Sequence, residues 1–118
     1  MTGFINSFKY ALTGIRLAVE VDRNIRLHVL VGIIVLLISY VLRISEFEFI
    51  FILFSIFFVL ITEMINTAIE EMTTLITNEH KWEAMIDKDV AAAAVLLAAI
   101  FALVVGFIIF VPYLLVLL

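Results

Sequence analysis

Two acidic residues, Glu63 and Glu70, with Asn66 and Thr67 between them, end an apolar run that covers residues 49–62. At 100° per residue these four positions fall on one side of a helix, which we call the carboxylate face. A charged side chain at membrane depth costs roughly 2.5–3.5 kcal/mol on insertion scales, so such residues indicate function. Two carboxylates so placed can bind a divalent cation or share acid–base work.

Two further polar groups could meet the carboxylate face. Asp22 belongs to a cluster that precedes the first apolar run, and Lys88 and Asp89 precede the last one. Mg²⁺ takes one or two carboxylates plus substrate phosphates, which Asp22 with Glu70 could supply while Lys88 offsets phosphate charge. Glu63 lies deeper in the apolar run, where poor hydration of its carboxylate suits it to general-base work.

Each of these residues also has a simpler interpretation. Asp89 could cap the N-terminus of the last helix, and Asn66 could hydrogen-bond between helices. His28 and His80 are more typical of a membrane interface than of a metal site in this sequence. No phosphate-binding loop of the form G-x-x-x-x-G-K-[ST] and no Cys/His metal spacing is present.

The composition predicts an integral membrane protein. Hydrophobic residues make up 66% of the 118 residues and mean hydropathy is +1.30, whereas soluble domains average about 45–50% apolar residues. The net charge of −4 and the absence of a basic block argue against nucleic-acid binding. There is no cysteine, which excludes disulfides and thiol chemistry. The first 19 residues lack the pattern of a signal peptide.

The apolar pattern predicts an all-α membrane protein with three transmembrane helices and an N-terminal amphipathic helix that lies in the membrane interface. We expect a single domain over residues 1–118. Its predicted segments are a surface helix at 4–22, spans at 28–46, 48–72 and 89–117, and a cytoplasmic loop at 73–88.

The distribution of basic residues predicts the orientation. Four of the seven Lys and Arg residues precede the first span, and two more lie between the second and third spans. The positive-inside rule then places the N-terminus and the candidate site in the cytoplasm and the C-terminus outside.

Several motifs resemble the bacterial diacylglycerol kinase/undecaprenol kinase family of small membrane enzymes. The most specific is E-x-x-N-T-A-I-E at 63–70, followed by K-D-x-A-A-x-A-V at 88–95. The string D-R-N-x-R-x-H at 22–28 is similar to the N-terminal signature of that family. The segment at 106–112 resembles the Gram-positive, undecaprenol-directed branch.

The resemblance implies a homotrimer in the bacterial cell (inner) membrane that transfers the γ-phosphate of ATP to a lipid alcohol with Mg²⁺. By position, Glu63 matches the catalytic base, Asp22 and Glu70 the metal ligands, and Glu63 with Asn66 the substrate-binding residues. The residues that match nucleotide contacts, beside Asp22 and Glu70, are Tyr10, Glu79, His80, Lys81, Lys88 and Asp89.

The chain also departs from the pattern of the family. Asp22 replaces a usual Glu, Gly3 stands where members often have Arg, and Thr74 stands where an Asp usually follows the motif. We expect a kinase for undecaprenol, with diacylglycerol as the alternative substrate. The departures motivate another alternative, a non-catalytic membrane paralogue. A transporter is disfavoured because transport sites typically lie near the midplane of the bilayer.

Overall fold

A computed structural model describes residues 2–76 and 82–118. It contains four helices, which are α1 (Thr2–Val21), α2 (Arg23–Leu42), α3 (Glu46–Ile76) and α4 (Trp82–Leu117). The last three are long and apolar enough to cross a membrane. The predicted all-α class, with three apolar helices that follow an N-terminal helix, is therefore confirmed.

Local capping determines where the helices break. Asp22 is extended (φ −107°, ψ 112°) and accepts a hydrogen bond from the backbone N–H of Asn24, so it ends α1 and caps α2. Arg43 adopts the left-handed conformation (φ 55°) at the end of α2. Ser45 and Glu48 then bond reciprocally, side chain to backbone, as a capping box that starts α3.

Helix α3 lies between α2 and α4 and packs against both. Gly32 lets α2 approach closely, since a Cβ atom there would lie 3.0 Å from Cγ2 of Ile56 on α3. Phe54, Phe58 and Phe101 form an aromatic cluster between α3 and α4, with ring centroids 5.8–6.1 Å apart. Small and aromatic side chains thus set the distances between the spans.

The interior is narrow and partly polar. The buried residues are Ile25, Gly32, Ser39, Ile52, Ser55, Val59, Glu63, Asn66, Thr73, Ala91, Ala98 and Ile109. Most large apolar side chains, including ten of the eleven phenylalanines, are instead exposed on the outside of the helices. In lipid this arrangement is favourable, because helices associate through small and polar residues and present their large apolar ones to the acyl chains.

The helix bounds differ most from the predicted ones between the second and third spans. The sequence predicts a loop at 73–88, but α3 continues to Ile76 and α4 already begins at Trp82. Asp89 consequently lies inside α4, and it does not cap that helix. The segment that precedes Asp89 contains strong helix formers such as Glu83, Ala84 and Met85, so it stays helical beyond the apolar run.

Candidate active site

Asp22 joins three helices. Its Oδ1 accepts a hydrogen bond from the N–H of Asn24 at 2.8 Å, which caps α2. Its Oδ2 accepts a hydrogen bond from the hydroxyl of Thr67 on α3 at 2.5 Å. Because α1 ends one residue earlier, the carboxylate that terminates α1 also connects α2 to the carboxylate face of α3.

The surroundings of Asp22 favour its ionised form. Burial by itself raises the pKa of Asp22, but hydrogen bonds from the Thr67 hydroxyl and from the N–H of Asn24 outweigh that effect. Contacts with the Glu63 carboxyl and the N–H of Ile25 act in the same direction, so the pKa of Asp22 lies below its usual value. Asp22 therefore offers a negative charge near neutral pH.

Glu63 is the buried member of the site, with 2% of its surface exposed. Its carboxyl group is a hydrogen-bond partner of Asp22, and the side chain of Asn24 lies beside it. The buried Glu63 carboxyl therefore lies against the ionised carboxylate of Asp22. Nε2 of His28 lies 4.0 Å from Oε2 of Glu63, too far for a direct hydrogen bond.

Glu70 lies at the opposite end of the carboxylate face and is exposed. Nδ2 of Asn66 donates a hydrogen bond to its Oε1 at 3.3 Å. Oδ1 of Asn66 is buried and has no partner within the described residues. The face therefore changes over two helical turns from a dry end at Glu63 to a wet end at Glu70, with Asn66 between them.

The structure leaves other predicted site residues apart from this cluster. Tyr10 on α1 and Lys88 and Asp89 on α4 are exposed. No hydrogen bond or ion pair within residues 2–76 and 82–118 joins them to the carboxylate face. Residues 79–81, which carry three more of the predicted nucleotide contacts, lie outside the described residues.

Two neighbours of Glu63 were not among the predicted site residues. Asn24 lies beside the carboxyl group, and His28, predicted to be interfacial, faces it. Position 28 follows buried Ile25 by three residues and precedes Gly32 by four. That spacing puts His28 on the side of α2 that packs against α3, so helical periodicity could have revealed it.

The donor atoms suit Mg²⁺ only together with a phosphate ligand. Within the described residues, no three His, Cys, Asp or Glu side chains converge to hold a metal by themselves. Mg²⁺ needs no such group, because it is usually bound by one or two carboxylates together with phosphate oxygens and water. The ionised carboxylate of Asp22 and the exposed carboxylate of Glu70 are donors of the required type.

A groove of about 590 Å³ runs along the other side of Asn66, between α3 and α4. Apart from Thr62, Asn66, Thr73 and Asp87, its walls are apolar, and Ala91 and Ala94 widen it on the α4 side. It is open along its length, so it can accept an extended apolar chain next to a buried amide.

Comparison with known proteins gives consistent matches over most of the chain. Residues 9–110 match the family described as Prokaryotic diacylglycerol kinase. A Synechocystis sp. protein named diacylglycerol kinase is 38% identical over 101 residues, which cover 85% of this chain and 58% of that protein. A Bacillus subtilis protein named undecaprenol kinase is 34% identical over 109 residues, which cover 92% of this chain and 89% of that protein.

We expect Thr67→Val to lower the free energy of unfolding by about 1–2 kcal/mol, because it removes the hydrogen bond to the Asp22 carboxylate while keeping the shape of the side chain. Thr74→Val is the matched control, since among the described residues its hydroxyl bonds to the Glu70 carbonyl alone, on the exposed side of the same helix. Thermal unfolding in detergent micelles, followed by circular dichroism, measures both. Equal effects of the two substitutions would contradict the role of the Asp22–Thr67 bond.

Proposed function

Because the chain belongs to the prokaryotic diacylglycerol kinase family, we propose that it is a membrane kinase that transfers the γ-phosphoryl group of ATP to the hydroxyl of a lipid alcohol. The observation that carries the proposal is the buried Glu63 carboxyl, paired with Asp22, in a helix apolar enough to cross a membrane. A carboxyl group in such a position costs free energy, so its presence indicates a chemical role.

In this proposal Glu63 is the general base. The hydroxyl oxygen of the lipid forms a bond to the γ-phosphorus as the bond to the oxygen that bridges the β- and γ-phosphorus atoms breaks, and the hydroxyl proton passes to Glu63. The ionised Asp22 carboxylate beside Glu63 provides a negative charge that attracts this proton. Burial of Glu63 keeps water away from the base, which favours transfer to the lipid over hydrolysis of ATP.

The wet end of the carboxylate face is suited to the phosphates. Asp22 and Glu70 would hold Mg²⁺, which supplies neutralisation of phosphate charge when bound. Tyr10, Lys88 and Asp89 would contact the nucleotide, as would Glu79, His80 and Lys81. In support, Tyr10, Lys88 and Asp89 are exposed, so their side chains are accessible to a ligand.

The α3–α4 groove is suited to the acceptor lipid. Its apolar walls would bind the hydrocarbon chain, and its polar wall at Asn66 would orient the hydroxyl group toward the site. Asn66 connects the groove to the wet end of the carboxylate face, because its amide also donates a hydrogen bond to Glu70. Undecaprenol is the first-choice substrate, since the chain covers 89% of the relative named undecaprenol kinase but 58% of the one named diacylglycerol kinase.

The proposal predicts phosphorylation of undecaprenol by the purified protein in mixed micelles with ATP and Mg²⁺, measured as radiolabelled lipid phosphate. Diacylglycerol in parallel micelles is the competing acceptor, and a higher kcat/KM for it would reassign the substrate within the same reaction. No lipid phosphate from either acceptor would favour the non-catalytic alternative.

In membrane vesicles, we expect ATP to be used only from the cytoplasmic face, and use from the opposite face would reverse the proposed orientation.

Glu63→Gln should lower kcat by roughly 10²–10⁴-fold, the usual contribution of a general base, since the amide keeps the size of the side chain but cannot accept the proton. Steady-state kinetics with saturating lipid and ATP measures this effect. Glu71→Gln is the control, because Glu71 is the exposed acid next to the carboxylate face and should retain wild-type kcat. A Glu63→Gln protein as active as that control would remove Glu63 from the mechanism.

Glu70→Gln should raise the Mg²⁺ concentration needed for half-maximal activity by about tenfold, because one of the two metal-binding charges is lost. A Mg²⁺ titration at fixed ATP measures the shift, again against Glu71→Gln. If kcat falls while the Mg²⁺ requirement stays the same, Glu70 is not a metal ligand.

A further inference from the structure

Helix α1 is weakly held by packing. It buries none of its residues, whereas each of the other three helices buries at least three. Its last carbonyl groups also have no partners within the helix, as at the C-terminus of any α-helix. The attachment of α1 to the other helices therefore depends on the bonds made at its C-terminal end.

Arg26 of α2 supplies most of those bonds. Its Nη1 donates to the carbonyl oxygen of Val19 at 2.7 Å and to that of Glu20 at 2.9 Å. The preceding carbonyl, that of Ala18, accepts from the backbone N–H of Asp22 at 3.0 Å. The guanidinium group thus caps α1 from the neighbouring helix, and its positive charge lies where the α1 dipole is negative.

The same turn of α2 carries the site. The backbone N–H of Arg26 bonds to the carbonyl oxygen of Asp22 at 3.4 Å, and Ile25 beside it is 2% exposed. The Arg26 backbone is therefore attached to the buried part of the fold, while its side chain holds the end of α1. We call this arrangement the Arg26 latch.

Arg16, another basic residue near this turn, does not share the arrangement. Arg16 pairs with Glu20 at 3.0 Å, but both belong to α1 and both side chains are more than half exposed. An exposed pair one turn apart stabilises its own helix slightly and cannot connect two helices. Arg16 is thus a natural comparison for Arg26, with the same charge on the same side of the fold.

We propose that Arg26 is a positioning residue that holds α1 at a fixed angle against the start of α2, and thereby places Tyr10, the nucleotide contact proposed on α1, relative to Asp22. This inference rests on the proposed kinase function for its catalytic consequence. The mechanical part, the attachment of α1, depends only on the contacts of Arg26.

The mechanical part is tested by distance measurement. The chain has no cysteine, so spin labels can be attached to cysteines introduced at the exposed positions Ser7 on α1 and Leu75 on α3. Pulsed electron resonance on full-length protein, diluted with unlabelled protein, should give one narrow distance distribution. Arg26→Ala should broaden it, and Arg16→Ala should leave it unchanged.

The catalytic consequence is tested by kinetics. Arg26→Ala should raise the KM for ATP by about five- to tenfold, because α1 would then hold its binding position in only a fraction of the molecules. The KM for the lipid should change less, because the α3–α4 groove does not involve α1. Arg26→Lys, which keeps a charged donor, should restore much of the ATP affinity, whereas a role in protein stability alone would not separate the two KM values.

The outcomes are distinguishable. An unchanged distance distribution in Arg26→Ala, or equal broadening in Arg16→Ala, overturns the latch. If the wild-type protein phosphorylates no lipid, the proposed function fails, but the distance measurement still decides on the latch. If Arg26→Ala does not fold, the same comparison is made with Arg26→Met, which keeps the apolar stem but has no donor; a distribution broader than wild type supports the latch and an identical one overturns it.

Discussion

The bond between the Asp22 carboxylate and the Thr67 hydroxyl is the contact on which the site depends. It connects residues 45 positions apart, where the end of α1, the start of α2 and the carboxylate face of α3 come together. The same carboxylate starts α2 and accompanies Glu63 in the interior. The bond therefore holds an ionised carboxylate next to Glu63 and fixes the start of α2 against α3.

In this fold the packing of the helices is directed by polar contacts, because burial of apolar side chains between helices gives little stabilisation in lipid. Lipid tails are as apolar as leucine or phenylalanine, so covering those side chains with another helix brings little free energy. The interior consequently holds serine, threonine, asparagine and glutamate beside small apolar residues. Close approach at Gly32 and hydrogen bonding at Asp22 determine how α2 meets α3.

The gradient of exposure along α3 separates two kinds of chemistry on one helix face. Glu63 at the dry end has neighbours that limit its charge, which suits proton transfer. Glu70 at the wet end is accessible to ions and phosphates. A seven-residue spacing achieves this because two helical turns rise about 10.5 Å, a third of the thickness of the hydrocarbon core. The two acids can therefore differ in function although they are identical in type.

Local pattern in the sequence was sufficient for the number of helices, for the three that are long and apolar enough to cross a membrane, and for the carboxylate face, since each depends on hydropathy or on the 3.6-residue period. The motif at 63–70 also identified the family, which the comparisons confirm. The extent of the loop at 73–88 was less predictable, because a helix can continue past the apolar run that identifies it.

Only the tertiary structure decided which residues accompany Glu63 and how α1 is attached. The pairing of Asp22 with Thr67 and Glu63, the approach of His28 and the capping of α1 by Arg26 all join separate helices. They depend on how α2 is rotated about its axis, and over residues 29–38 α2 is apolar on every side. Since lipid and protein interiors solvate such a helix almost equally well, its hydropathy does not specify the rotation, and a few polar and close-packed contacts determine it instead.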